Sequence, residues 1–364
     1  MTSKGKILIV GGYGAVGKII LSTLSEMFPK KVIVAGRNLE KAKAQSSILN
    51  HKVIPMELDV SSISENDKRL NDVHLVIMCI DQTNIDFVTQ CIERGINYVD
   101  ITANYDFLSQ IENLNNVAKK HNSTVILSVG LAPGLTNLLT KRCKMMFKNI
   151  QSADIYILLG LGEKHGEAAY RWTFKDFNDV YYIFENGERL RVRSFENGKQ
   201  TLFPKSIGKR TAYRSNFSDQ HVIPKTLNIT SVSTRMCFDS AYMTKLYALI
   251  KKTVIRKLFK LKSVQDLLIK TFKVFKFGTD QFALKVEAAE NQDKGVLFEC
   301  SIVGNGQGKT TGLVASKVAE KLYTSSFESG VFHIEELFEP LSFIKELNDN
   351  LEYKENDTNK IKSP

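Results

Sequence analysis

The 364-residue sequence contains no uncharged apolar run of about 18 residues, so it predicts no membrane-spanning helix. Cysteine is sparse and dispersed. Cys79, Cys91, Cys143, Cys237 and Cys300 form no C-x-x-C pair and no Cys/His cluster with zinc-ligand spacing. Five is also an odd number, so reduced thiols are expected, with no disulfide framework and no metal site. The opening MTSKGKILIVGG lacks a signal-peptide layout, which makes a cytoplasmic location the expectation. Low-complexity tracts and internal repeats are absent. Acid is almost missing from one segment: between Ala241 and Lys276 ten Lys/Arg accompany a single Asp266. That segment holds +9 of the chain's net +11, so the remainder is nearly neutral. A basic block with no recognised nucleic-acid motif points to a local surface role, and nucleic acid is not an expected partner.

The segment Lys6 to Arg37 organises what is present. Lys6 to Val10 is a short branched apolar run, as in a buried strand. Gly12-Tyr13-Gly14-Ala15-Val16-Gly17 follows, a G-x-G-x-x-G. Ile19, Ile20, Leu24 and Met27 then recur at helical spacing, and Val32 to Ala35 is a second strand-like run. This order is strand, glycine turn, helix, strand. Gly12 is expected to allow the tight turn, Gly14 to admit a pyrophosphate to the backbone, and Gly17 to let helix and strand approach. The alternative is a glycine turn that binds no phosphate.

The second strand ends Ala35-Gly36-Arg37, with no acid before Glu40. An NAD site places Asp or Glu there, whereas Arg37 suits a 2′-phosphate. NADP is therefore favoured and NAD remains open; a solvated loop arginine is the alternative for Arg37. Asp59-Val60 ends the next strand, beside the adenine in such a fold. Asp59 is a candidate for the adenine amino group, or equally a helix-cap or turn aspartate. Ser61 to Leu70 suggests a short polar helix. Val73 to Ile80, Ile96 to Ile101 and Thr124 to Val129 complete a strand–helix alternation, with helices expected at Ile85 to Arg94 and Phe107 to His121.

These motifs, GGYGAVG, AGR at 35–37, GINYVD at 95–100, GLAPGLTN at 130–137 and the closing SGVFHIEELFEPLSFIKEL, resemble the saccharopine dehydrogenase-like oxidoreductases. The resemblance implies an α/β protein: a Rossmann doubly wound parallel sheet over residues 1–135 plus a second α+β substrate domain over 136–328. It implies NAD(P)-linked hydride transfer on a small molecule, an amino-acid-derived imine or a lipid-like enoyl or carbonyl compound, and a homodimer. Amino-acid-processing relatives commonly carry Asp before Pro-Gly in the fourth motif, where this chain has Ala132. Residues 329–347 form the closing segment, and 348–364 are expected to be a flexible tail.

Within the second region, Asn186-Gly187 and Asn197-Gly198 suggest a meander of short strands. Gly166 to Trp172 suggests a helix start with Arg171 or Trp172 toward substrate. The alternation in FALKVEA, at 282–288, suggests one polar sheet face. Gly304 to Thr310 resembles a P-loop but has three residues between its glycines where the motif needs four, so a turn before a helix is preferred. The basic insert at 241–276 has amphipathic spacing, fitting either a lid on the substrate domain or a helix on an anionic membrane surface. Proton-donor candidates at strand ends are Tyr98, Asp100, Tyr105 and Asn137. Tyr105 is chosen as the catalytic group, with Asn137 orienting substrate. Two further alternatives stand beside the oxidoreductase: a non-catalytic dinucleotide-binding module, and a peripheral membrane reductase acting on lipid and anchored by 241–276.

Overall fold

In the computed structural model, residues 5–64, 67–163, 180–204, 207–251, 253, 261–274, 278–291, 295–347 and 351–358 are described. The expected helix start at Gly166 to Trp172 lies outside them. The chain divides into two compact units, one of residues 1–133 with 308–337, the other of 134–307 with 338–364.

The first unit follows the alternation seen in the sequence. In order it contains β1 (Lys6–Val10), α1 (Ala15–Met27), β2 (Val32–Gly36), α2 (Leu39–Ile48), β3 (Val53–Glu57), β4 (Val73–Met78), α3 (Asp86–Glu93), β5 (Asn97–Asp100), α4 (Tyr105–Glu112), α5 (Asn115–Lys120) and β6 (Thr124–Leu127). Strand order is β3-β2-β1-β4-β5-β6, all parallel, with the topological reversal between β1 and β4. That is the doubly wound arrangement, and ligands of such sheets bind beyond the strand carboxyl ends at the reversal. The apolar runs are buried on both faces: Ile7, Leu8, Ile9 and Val10 are all inaccessible.

Two local expectations need correction. Among the described residues of the expected helix Ser61 to Leu70, only Lys68–Leu70 are helical, as a 3-10 turn, because Asp59 and Asp67 bond the backbone N–H groups of Ser61 and Arg69 and hold local turns instead. The expected helix over Phe107 to His121 is broken into α4 and α5 at Asn113-Leu114.

The second unit contains α6 (Thr136–Met146), β7 (Ser152–Leu159), β8 (Val180–Glu185), β9 (Glu188–Arg193), β10 (Lys199–Leu202), β11 (Lys209–Arg214), α7 (Asp219–Thr226), β12 (Ser231–Phe238), α8 (Ala241–Lys251), α9 (Lys262–Val274), β13 (Gln281–Ala289) and β14 (Phe298–Asn305). There follow α10 (Gln307–Thr324), β15 (Gly330–His333), α11 (Ile334–Leu337), α12 (Pro340–Glu346) and β16 (Glu352–Asp357). Most of α10, with β15 and α11, belongs to the first unit, although the sequence places residues up to 328 in the second region. β15 pairs parallel with β6 as a seventh strand, and α10 meets α1 where Gly312 faces Ile19.

The second sheet is mixed, in the order β10-β11-β12-β7-β13-β14-β16. The polar face expected for 282–288 does not face water. Lys285 is buried, and its Nζ lies 2.9 Å from Glu287, 2.8 Å from Glu299 and 2.8 Å from the Leu202 carbonyl. The alternation there marks an internal ion-pair ladder. Nor is 348–364 wholly a loose tail: β16 pairs antiparallel with β14, and Glu355 receives two 2.9 Å bonds from Arg142. Its polar composition suits an edge strand with one wet face.

Candidate active site

The dinucleotide end of the first unit is built by backbone geometry. The tight turn after β1 is made by Gly11, whose φ is +78°, and not by Gly12 as the sequence suggests. Gly12 is needed for close packing, since a Cβ there would lie 3.0 Å from Val34. Gly17 performs the expected role: a Cβ would stand 2.3 Å from the Gly11 carbonyl oxygen, so α1 approaches the turn only with glycine there. Gly14 caps α1 without a side chain, Gly14 and Ala15 are exposed, and the first turn carries no acid. The first N–H groups of a helix have no intrahelical partner, so α1 from Ala15 through Val16 to Gly17 presents donors and positive dipole to an anion.

Tyr13 reaches across this turn to the end of β2. Its ring lies on Gly36, and its hydroxyl accepts the Asn38 N–H at 3.3 Å. Beside it a surface cleft of about 320 Å³ is lined by Arg37, Glu57, Asp59, Ser62 and Arg69. Arg37 is exposed there. Arg69 is occupied by Asp67 and by the Glu57 carbonyl. Asp59 Oδ1 accepts the Ser61 hydroxyl at 2.7 Å and the Ser61 N–H at 3.0 Å. The Ser61 hydroxyl and N–H hold the Asp59 carboxyl below its usual range, with Arg37 adding to the effect. Asp59 is thus a turn aspartate with one oxygen committed, and Val60 packs on the core beneath it. These residues fit an adenosine 2′-phosphate at Arg37, with Glu57 as an opposing charge.

The other side of the strand reversal holds a polar network that the sequence places only in part. Tyr98 and Asp100 share one face of β5, as their spacing requires. The Tyr98 hydroxyl donates to Asp100 Oδ2 at 2.8 Å, and Gln82, from the loop after β4, donates to the Tyr98 oxygen at 2.8 Å. Asp100 Oδ1 accepts the Thr102 N–H at 2.9 Å. Burial pushes the Asp100 carboxyl up to about 7, against the lowering effect of Thr102 and Tyr98; nearby Asp81 raises it further. A carboxyl that changes protonation near neutrality is what general acid–base chemistry requires.

The two residues chosen from sequence fall on different units. Tyr105 opens α4 in the first unit. Asn137 is fully buried in the second unit, where its Oδ1 accepts the Gly134 N–H at 3.0 Å and so fixes the turn before α6. Ala132 lies in the π-helical turn Leu131–Leu135. The P-loop resemblance is resolved by chemistry: the Gln307 N–H at the start of α10 donates to Glu163 at 2.6 Å, so a carboxylate stands where a phosphate would bind. Among the described residues no group of three or more His, Cys, Asp or Glu side chains is arranged to hold a metal, and no helix is long and apolar enough to cross a membrane.

A doubly wound sheet with this glycine turn defines an NAD(P)-binding, dehydrogenase-like α/β protein. Residues 7–126 match the family described as the saccharopine dehydrogenase NADP binding domain. The fold resembles that of a saccharopine dehydrogenase (L-Glu forming) from Saccharomyces cerevisiae, with a TM-score of 0.68 and 16% identity over 97% of this chain and 99% of that one. At that identity the likeness concerns fold alone. A mutant meso-dapdh with DAP, from Clostridium tetani, is more distant, with a TM-score of 0.47 and 16% identity over 94% and 96% of the two chains. No curated protein sequence matches the chain.

Proposed function

We propose that the protein is an NAD(P)-dependent oxidoreductase acting on a small molecule, with NADP preferred. The observation that carries this is the pairing, across one strand reversal, of an anion-binding glycine turn with a buried carboxyl poised near neutrality. A bound nicotinamide would supply or accept the hydride. The chain's own residues then have separate tasks. The α1 N-terminus holds the pyrophosphate, Arg37 reads the 2′-phosphate, and Asp100 holds the proton that accompanies hydride transfer, with Tyr98 and Gln82 fixing its orientation.

This assignment gives to Asp100 the proton-handling role expected of Tyr105, and leaves Asn137 without the substrate-orienting role expected of it. Asn137 is assigned instead to fixing the turn before α6. The Asp100 network also weakens the alternative of a non-catalytic dinucleotide-binding module, which drew on the lack of an acid–base group. Ala132 in place of aspartate argues against a diamino-acid substrate held through a second amine, and favours an imine, enoyl or carbonyl compound without one. The peripheral lipid-acting alternative draws on the segment 241–276, where Tyr242, Leu249, Leu261 and Leu267 are exposed.

The test follows NADPH absorbance with a panel of imine, enoyl and carbonyl substrates, on wild type and Asp100→Asn. Turnover that falls by about two orders of magnitude in Asp100→Asn, with NADPH affinity kept, is the expected result. No turnover with any substrate class, or equal turnover in both proteins, overturns the proposal.

A further inference from the structure

The β8–β9 hairpin of the second unit has two unlike faces. Its turn, Asn186-Gly187, takes positive φ at both residues, 53° and 81°, which is the geometry that pins a two-residue hairpin in register. On the inner face Tyr181, Ile183 and Val192 form a buried cluster, and Tyr181 meets His221 of α7 edge-on. The Asn186 N–H donates to Ser231 at 2.7 Å. The hairpin is therefore held by one side.

On the outer face the register sets Val180 opposite Arg193, Tyr182 opposite Arg191 and Phe184 opposite Arg189. Directly opposed residues share a face. The three apolar side chains are 42–45% exposed, and all three arginines are exposed. The Arg189 guanidinium lies 3.9 Å from the centroid of the Tyr182 ring, which holds the cation over the aromatic face. These six residues present three positive charges, three apolar groups and no carboxylate.

The charge of this face chooses its occupant. A second copy meeting it about a two-fold axis would set arginines against arginines, so self-association is disfavoured. The partner must be anionic. Single-stranded nucleic acid stacks its bases on open aromatic faces, whereas Arg189 already lies over the Tyr182 ring. Two of the three apolar groups on this face are aromatic, and rings and aliphatic chains alike enter a bilayer interface. Nine of the fourteen large exposed apolar side chains among the described residues fall between 180 and 267, including Leu190, Leu202 and Leu249. The same stretch of chain runs into the basic segment. Arginine with tyrosine, phenylalanine and valine suits headgroup phosphates above an acyl boundary.

We propose that the outer face of the β8–β9 hairpin docks on the surface of an anionic phospholipid bilayer. Arg189, Arg191 and Arg193 bind headgroup phosphates while Val180, Tyr182 and Phe184 enter the interface. This surface is argued independently of the oxidoreductase assignment, and NADPH titration of the same preparations separates the two.

The experiment is flotation of the full chain with vesicles of phosphatidylcholine alone, or with about 30% phosphatidylserine added. Three proteins are compared: wild type, the combined Arg189→Gln, Arg191→Gln, Arg193→Gln variant, and Tyr182→Ser with Phe184→Ser. Wild type is expected to float with the phosphatidylserine vesicles only. Each variant should lose about tenfold or more in vesicle affinity, with NADPH affinity unchanged as the check on folding. Unaltered flotation of the arginine variant, or no flotation of wild type, would overturn the proposal. So would tighter arginine-dependent binding of a single-stranded oligonucleotide than of the vesicles.

Discussion

Tyr13 and Gly36 are locked together: a Cβ on Gly36 would stand 2.3 Å from the Tyr13 hydroxyl and 2.6 Å from its Cζ. One residue comes from the glycine turn and the other from the end of β2, so their contact joins the pyrophosphate cradle to the cleft containing Arg37. Gly36→Ala must push the Tyr13 ring away. NADPH affinity is expected to fall about tenfold, on the order of 1.4 kcal/mol, with little change in melting temperature because Tyr13 is only half-buried. Equilibrium titration of the variant checks this.

The Asp100 carboxyl gives a pH signature. Its folded value, about 7, lies above its ordinary value of 3.8. The folded protein therefore holds this proton more tightly than the unfolded chain. The associated stabilisation is complete below about pH 4 and is lost as pH rises through about 7. Asn at this position cannot ionise. The stability of Asp100→Asn relative to wild type is thus expected to increase between pH 4 and pH 8, by at most about 4 kcal/mol. Urea melts of both proteins across that range would measure it, and a constant difference would remove the shifted carboxyl from the account.

Lys285 tests the interior of the second sheet. Its ammonium sits between Glu287 and Glu299 and is buried. Thr201 adds a 2.6 Å bond to Glu287. Lys285→Met would leave the largely buried Glu287 facing the partly exposed Glu299 without their shared cation. A loss of about 2–3 kcal/mol in unfolding free energy is expected, below the full value for a wholly buried pair because Glu299 is partly solvated, whereas substitution of a solvated lysine would cost almost nothing. Replacing Lys285, Glu287 and Glu299 together by apolar residues should recover much of the loss.

The parts of this molecule that the sequence reveals are those written locally. β1, the glycine turn, α1 and β2 follow one another within about 30 residues, and each has its own pattern of apolar spacing or glycine. Arg37 is legible for the same reason. The Asn186-Gly187 hairpin is equally local. What stays hidden depends on distant partners. β15 joins β6 across some 200 residues of intervening chain. β16 looks like a polar tail until β14 supplies its ladder and Arg142 its counter-charge. Lys285 and Glu287 alternate as if facing water, and only Glu299 from the neighbouring strand explains their burial. Tyr98 and Asp100 are visible as a pair on one strand face. Gln82 is legible only as a residue at the carboxyl end of β4, and its bond to Tyr98, which completes the network, is not. The choice of Asn137 rested on residue type near a strand end, a signal that carries no information on its bond to the Gly134 N–H.

The central claim is a dinucleotide site whose phosphate reader is Arg37. It is tested most directly by titrating the purified full-length protein with NADPH and NADH, followed by nicotinamide fluorescence, on wild type and Arg37→Ala. Wild type is expected to bind NADPH more tightly than NADH. Arg37→Ala should weaken NADPH by about tenfold or more, on the order of 1.5–3 kcal/mol for a charge-assisted contact, and leave NADH within about twofold. Failure of wild type to bind either nucleotide would contradict the account, and equal loss of both nucleotides in Arg37→Ala would contradict the role given to that arginine.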